Sequence, residues 1–144
     1  MWTLDSYFHN SSPFATVYIP SGEVLNLSYG ANNVDGGAIY NEGVLTLIES
    51  VVTDSYSDDD GGGIYNDEHG TLTVTNSTIS GNDADEDGGG IYNDGYGDLT
   101  VTNSTISGND AGEDGGAFTM ITNLMRGSRI PPSAIISRGM VATL

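Results

Sequence analysis

The sequence contains no cysteine and no lysine, and its only arginines are Arg126, Arg129 and Arg138. Without cysteine there is no disulfide framework and no thiolate chemistry, a composition that suits either redox compartment. No apolar run approaches the ~18 residues of a transmembrane helix. The opening MWTLDSYFHNSSPF lacks both the basic and the apolar region of a signal peptide, so the chain reads as one without such a leader. Histidine is confined to His9 and His69. Neither has the sequence neighbours of a Ser-His-Asp set.

Acid is what the chain has in excess. Twenty Asp and Glu oppose the three arginines, for a net charge of −17. Every acidic residue lies at or before Asp114 and every arginine lies after it. Such a body repels phosphate backbones and anionic lipid, which argues against nucleic-acid binding and membrane insertion. It attracts divalent cations or basic partners, or remains soluble in salt.

Glycine and aspartate recur with a period. Residues 60–86, DGGGIYNDEHGTLTVTNSTISGNDADE, nearly repeat as residues 87–113, DGGGIYNDGYGDLTVTNSTISGNDAGE, 27 positions on. A looser copy occupies residues 35–59, and a fourth opens at 114–118 as DGGAF. A fixed period of this size marks a stacked architecture, in which each unit completes its core only against its neighbours. The Leu-Thr-Val-Thr segments alternate apolar and polar residues with the strand period of two, and no window carries a helical stripe. The expected fold is all-β: a parallel β-helix solenoid of about four coils.

Register then predicts ladders. Ile39, Ile64 and Ile91 face in, as do Leu45, Leu72 and Leu99. Asn41, Asn66 and Asn93 form a polar ladder at a corner, where stacked amides bond one another. Tyr40, Tyr65 and Tyr92 alternate with the isoleucines and are expected to stack on the outside. The glycines ahead of Ile64 and Ile91 permit a sharp corner. Residues 1–34 lack the repeat but hold short strand-like runs, and read as an irregular N-terminal coil or cap. Trp2, Tyr7, Phe8 and Phe14 are expected to cover the open end of the stack.

Gly36-Gly37-Ala38-Ile39, Gly62-Gly63-Ile64 and Gly89-Gly90-Ile91, with the Ile79–Asn82 and Ile106–Asn109 segments, resemble the GGA-I and F-x-x-N repeats of polymorphic outer-membrane proteins. This sequence has Ile in place of the Phe, and Gly for Ala in two copies. The resemblance covers residues 35–118 and implies a right-handed parallel β-helix in a secreted or surface-borne bacterial passenger, often adhesive. It implies no catalytic residues. Residues 119–144 carry all the arginines and none of the repeat. Thr119–Asn123 resembles the start of the vector-encoded β-galactosidase α-fragment, and Gly127–Pro131 looks like a translated linker. The repeat array is accordingly expected to continue in a longer parent.

Four groups of residues invite a function. Asp83, Asp85 and Asp87 before Gly88, with Asp94 as a closing ligand, follow the alternating-carboxylate spacing of a calcium loop; the plain alternative is a solvated acidic edge. Tyr40, Tyr65 and Tyr92 offer a platform on which a glycan could stack, or simply a ladder that joins coils. Thr73, Thr75, Thr100 and Thr102 form a small hydroxyl array like that of ice-binding β-helices, which β-propensity also explains, and Ile48 interrupts it. Asn10, Asn26, Asn76 and Asn103 begin glycosylation sequons that read as chance matches in a repeat rich in Asn and Thr. His69 sits in a turn insertion and is expected to be exposed.

These readings favour a non-catalytic structural or adhesive module of an exported surface protein, with glycans or cell-surface proteins as partners. End-to-end or edge self-association through uncapped coils is a further expectation. The alternative is a calcium-stabilised β-helix that binds carbohydrate or hydrolyses polysaccharide with paired carboxylates.

Overall fold

The computed structural model describes residues 35–116 throughout and, beyond that span, only the backbone of short strands. The alternating segments form strands because their β-branched and leucine side chains suit a pleated surface buried on one face. One coil ahead of the first full one lies β1 (Trp2–Leu4); the first full coil holds β2 (Phe8–Asn10), β3 (Ala15–Tyr18), β4 (Leu25–Leu27), with which β1 pairs, and β5 (Gly30–Ala31). The second holds β6 (Ile39–Asn41), β7 (Val44–Ile48), β8 (Val51–Thr53) and β9 (Tyr56–Ser57). The third repeats this order as β10 (Ile64–Asn66), β11 (Thr71–Thr75), β12 (Thr78–Ser80) and β13 (Asp83–Ala84). The fourth repeats it again as β14 (Ile91–Asn93), β15 (Asp98–Thr102), β16 (Thr105–Ser107) and β17 (Asp110–Ala111). Two further strands are β18 (Phe118–Met120) and β19 (Ala142–Thr143). No helix occurs among the described residues.

Four parallel sheets run along the stack: β2-β6-β10-β14-β18, β3-β7-β11-β15, β1-β4-β8-β12-β16 and β5-β9-β13-β17, with β19 antiparallel at the end of the third. Each coil visits them in the same order. The fold is the expected all-β parallel β-helix, and its register is the one the repeats imply. Ile64 pairs with Ile39 and Ile91, and Leu72 with Leu45 and Leu99. The interior contains these ladders with Val52, Ile79 and Ile106, and Ile39, Ile64 and Ile91 are wholly buried. Burial of each such side chain contributes roughly 1.5–3 kcal/mol. One coil alone would leave the edges of those side chains wet.

Each repeating coil turns three of its corners through left-handed residues. Asn76 and Asn103 have φ of 51° and 49°, and Glu49 takes the same position with 53°. Asp54, Gly81 and Gly108 mark the second corner, and Gly36, Gly61 and Gly88 the third. Asparagine tolerates this region better than most residues that carry a Cβ, so Asn-Ser-Thr here is corner grammar. The positive φ of the Gly-Gly-Gly run falls on its first residue. The second is required by close approach: a Cβ on Gly89 would collide with the Asp110 carbonyl oxygen.

Inside, the corners are joined by polar rungs. Asn41 Nδ2 donates to Asn66 Oδ1 at 2.6 Å, and Asn66 Nδ2 to Asn93 Oδ1 at 2.7 Å. The Ser50 and Ser77 backbone N–H groups donate to the Ser77 and Ser104 hydroxyls of the next coil. Ser55 and Asn82 donate their N–H groups to Asn82 and Asn109 Oδ1 in the same way. These N–H groups lie where the chain leaves a sheet, so the rungs satisfy donors that would otherwise be buried without a partner.

Residues 1–34, expected as a coil ahead of the repeats with strand-like runs, hold strands that stack on the first repeat. They supply a strand to every sheet, with Phe8 in the isoleucine register and Asn10 in the asparagine register. Phe8 thus takes the isoleucine register on the terminal strand of its sheet, and Trp2 pairs in register with Leu25. Tyr7 and Phe14 lie outside the described residues. At the other end, Thr119 and Met120 continue a repeat sheet beside Tyr92 and Asn93, so the strand crosses the expected boundary at 118.

Candidate functional site

Tyrosine and aspartate line the outside of the Ile-Tyr-Asn sheet. Tyr40 and Tyr65 stack with ring centroids 5.1 Å apart, and Tyr65 and Tyr92 with centroids 5.0 Å apart. The column forms as the register predicts, but the rings do not stand open. Tyr65 is 8 % exposed and Tyr92 5 %. The faces of Tyr65 are taken by its two neighbours, and the glycine corner closes over the column: a Cβ on Gly88 would lie 2.9 Å from Tyr92 Cβ. The Tyr40 hydroxyl donates to Asp67 Oδ2 at 3.1 Å, and that of Tyr65 to Asp94 Oδ2 at 3.4 Å. Burial, with the carboxylates beside them, pushes all three phenols well above their ordinary range.

A column of aspartates runs beside the tyrosines. Asp60 Oδ1 accepts the Asp87 N–H at 3.0 Å, and Asp87 Oδ1 accepts the Asp114 N–H at 2.8 Å. Asp35 takes the Asp60 N–H in the same sense. Burial raises the Asp60 carboxyl to about 6, with added repulsion from Asp87, Asp35 and Glu86. It raises Asp35 as well, helped by Asp59. Sequence reasoning missed this column. Its only signal was the Asp that opens every copy, which reads equally well as a turn residue.

The four carboxylates of the calcium-loop spacing do not converge. Asp83 is exposed on β13 beside Asp110 of the next coil, and its carboxyl is raised by partial burial and by Asp110 and Asp85. Asp85 bonds the Tyr56 hydroxyl. Asp87 receives the Asp114 N–H. Asp94 lies beyond β14, where it accepts from Tyr65 and from the Gly95 N–H. The strand Ile91–Asn93 separates it from the others, and among the described residues no group of three or more acidic or histidine side chains is arranged to hold a metal ion.

The remaining outer faces are simpler. Thr46, Thr73 and Thr100 share one register and Ile48, Thr75 and Thr102 another, so the hydroxyl array is real and is broken at Ile48. His69 is exposed, as expected, with Nδ1 3.3 Å from Asp67 Oδ1. It belongs to a turn built alike in two coils. Gly70 N–H donates to the Asp67 carbonyl, and Gly97 N–H to that of Asp94, each at 2.8 Å. Asn66 and Asn93 then hold the Gly70 and Gly97 carbonyls from inside. Tyr96 projects from the second of these turns, 68 % exposed.

No curated protein and no solved structure matches the chain. The Chlamydia polymorphic membrane protein repeat matches residues 76–94, which run from the Asn76 corner through the Asn82 rung and the Gly88 corner to Asp94. The matched segment thus contains the buried asparagine of the F-x-x-N position and the glycine corner that closes the tyrosine column. Residues 76–94 carry a repeat of the polymorphic membrane protein type.

Proposed function

We propose that this chain acts as a non-catalytic structural and adhesive repeat module at a bacterial surface. The type of repeat supports a place in an exported, surface-associated protein. The observation that carries the reading is where the polar chemistry is engaged. The asparagines, serines, tyrosines and column aspartates bond from coil to coil, so the scaffold is held from within and its exposed turns are a surface that can meet other molecules. A rigid scaffold with exposed turns is the usual arrangement for recognition.

The test is retention of the purified chain, coated on beads, by cell surfaces and by arrayed glycans, run beside an assay for reducing ends released from polysaccharides. The expected result is saturable retention without release of new ends. Release of reducing ends by the chain would overturn the non-catalytic part. Absence of saturable retention on every surface would overturn the adhesive part.

A further inference from the structure

The third and fourth coils differ at four of their 27 positions: Glu68 against Gly95, His69 against Tyr96, Thr71 against Asp98, and Asp85 against Gly112. Three of the four fall in the turn between the Ile-Tyr-Asn and Leu-Thr-Val-Thr strands or on its exit. The second coil shortens this same turn to Glu42-Gly43. The turn backbone is nonetheless held alike in the third and fourth coils, by the Asp67–Gly70 and Asp94–Gly97 bonds and by the buried asparagines beneath. The three turn differences thus leave those backbone bonds in place, whereas the fourth, at Asp85, falls on a side chain that bonds the Tyr56 hydroxyl. Glu68, His69, Tyr96 and Asp98 are all exposed, and Tyr96 is the large apolar side chain that stands out among the described residues.

We propose that the stacked turns at 67–71 and 94–98 form the contact surface of this module, and that its partner is a protein segment bearing lysine or arginine. This rests on the adhesive reading above. The exposed tip holds the Tyr96 ring, with Asp98 two residues on in the chain, and the His69 imidazole 3.6 Å from the Glu68 carboxylate; ring face and carboxylate together suit a cationic side chain. The partner's sign follows from the body, which has no lysine or arginine anywhere in residues 1–118. A field of one sign steers an oppositely charged partner toward the tips.

The probe is a synthetic octapeptide of alternating arginine and glycine, with glutamine replacing arginine in the control peptide, titrated onto the chain in 0.15 M salt. Three variants are compared, each checked by circular dichroism: Glu68→Gln with Asp98→Asn, Tyr96→Ala, and Asp83→Asn with Asp110→Asn. The first and last remove the same charge from different places. The tip pair is expected to weaken arginine-peptide binding roughly five- to ten-fold and the remote pair less than two-fold. Tyr96→Ala is expected to weaken it a few-fold. Equal losses from the two charge pairs would overturn the assignment by reducing it to a diffuse field. So would failure of the arginine peptide to bind, or Tyr96-dependent binding of neutral oligosaccharides in its place. If the tip variants keep full retention on cells, the tip assignment fails while the adhesive reading stands. If the unaltered chain is not retained at all, the adhesive reading fails, whatever the peptide does.

Discussion

Asp60 accepts the backbone N–H of Asp87, its counterpart in the next coil, at 3.0 Å. The carboxylate holds two coils together, yet it lies half-buried among other acids, and its carboxyl is raised to about 6. The folded state therefore holds the proton more tightly than the unfolded chain, whose value is near 3.8. Stability from this group is fully present below the unfolded value and is lost as pH rises through about 6. Melting temperature is expected to rise when pH is lowered from 7 to 5. Asp60→Asn keeps an acceptor for Asp87 and removes the charge. It should raise stability at pH 7 by about 1 kcal/mol after solvent screening, and it should flatten the pH dependence. A variant that melts lower than the parent at pH 7, with an unchanged pH profile, would sink this account.

The asparagine ladder yields a sharper loss. Asn66 is wholly buried, accepts from Asn41, and donates to Asn93 Oδ1 and the Gly70 carbonyl. Asn66→Ala deprives both neighbouring amides of this partner in a place water does not reach. The expected cost is roughly 3 kcal/mol, read as a lower urea midpoint. Asn76→Ala, at an exposed corner with positive φ, should cost only about 1 kcal/mol. Equal midpoints for the two variants would show that the ladder adds nothing beyond corner geometry.

The tyrosine column separates shape from hydrogen bonding. Tyr65→Phe preserves both ring stacks and loses one long hydrogen bond, so its expected cost is under about 1 kcal/mol. Tyr65→Ala opens a gap between Tyr40 and Tyr92 and should cost roughly 3–5 kcal/mol. Denaturant unfolding of the two variants checks this. A small loss in the alanine variant would mean that the rings behave as surface groups after all.

Much of this was legible in the sequence, and the reason is periodicity. Alternation around Leu72 and Val74 sets inside and outside, and the 27-residue spacing sets register, so the ladders are legible in the sequence. Burial of Tyr65 and Tyr92 was not legible, because it comes from the column itself and from backbone folding over it at Gly36 and Gly88. The rungs at Ser77, Asn82 and Ser104 were hidden because NSTISGN reads locally as turn chemistry, and only stacking turns those side chains inward. The coil at 1–34 was legible from its strand-like runs, but its exact register was not. It keeps the strand register while lacking the glycine signature. At the acidic corner, spacing that fits a calcium loop met a strand that carries Asp94 away from Asp83, Asp85 and Asp87.

That last conflict sets how the acidic edge should answer to cations. Asp85, Asp87 and Asp94 are each engaged by a different group, the Tyr56 hydroxyl, the Asp114 N–H and the Tyr65 hydroxyl, and Asp83 sits beside Asp110. With the charges strung along the stack in this way, cations should act by screening repulsion between coils, which depends on valence and concentration more than on ion identity. Calcium and magnesium chlorides at equal concentration are expected to raise the melting temperature together, within about 1 °C of each other, and sodium chloride is expected to raise it at higher concentration. A chelating loop behaves otherwise, because seven oxygen ligands at flexible distances favour calcium over the smaller ion. A calcium shift several degrees beyond that of magnesium, abolished by Asp85→Asn with Asp87→Asn, would show that the carboxylates rearrange around the ion and would restore the calcium-loop reading.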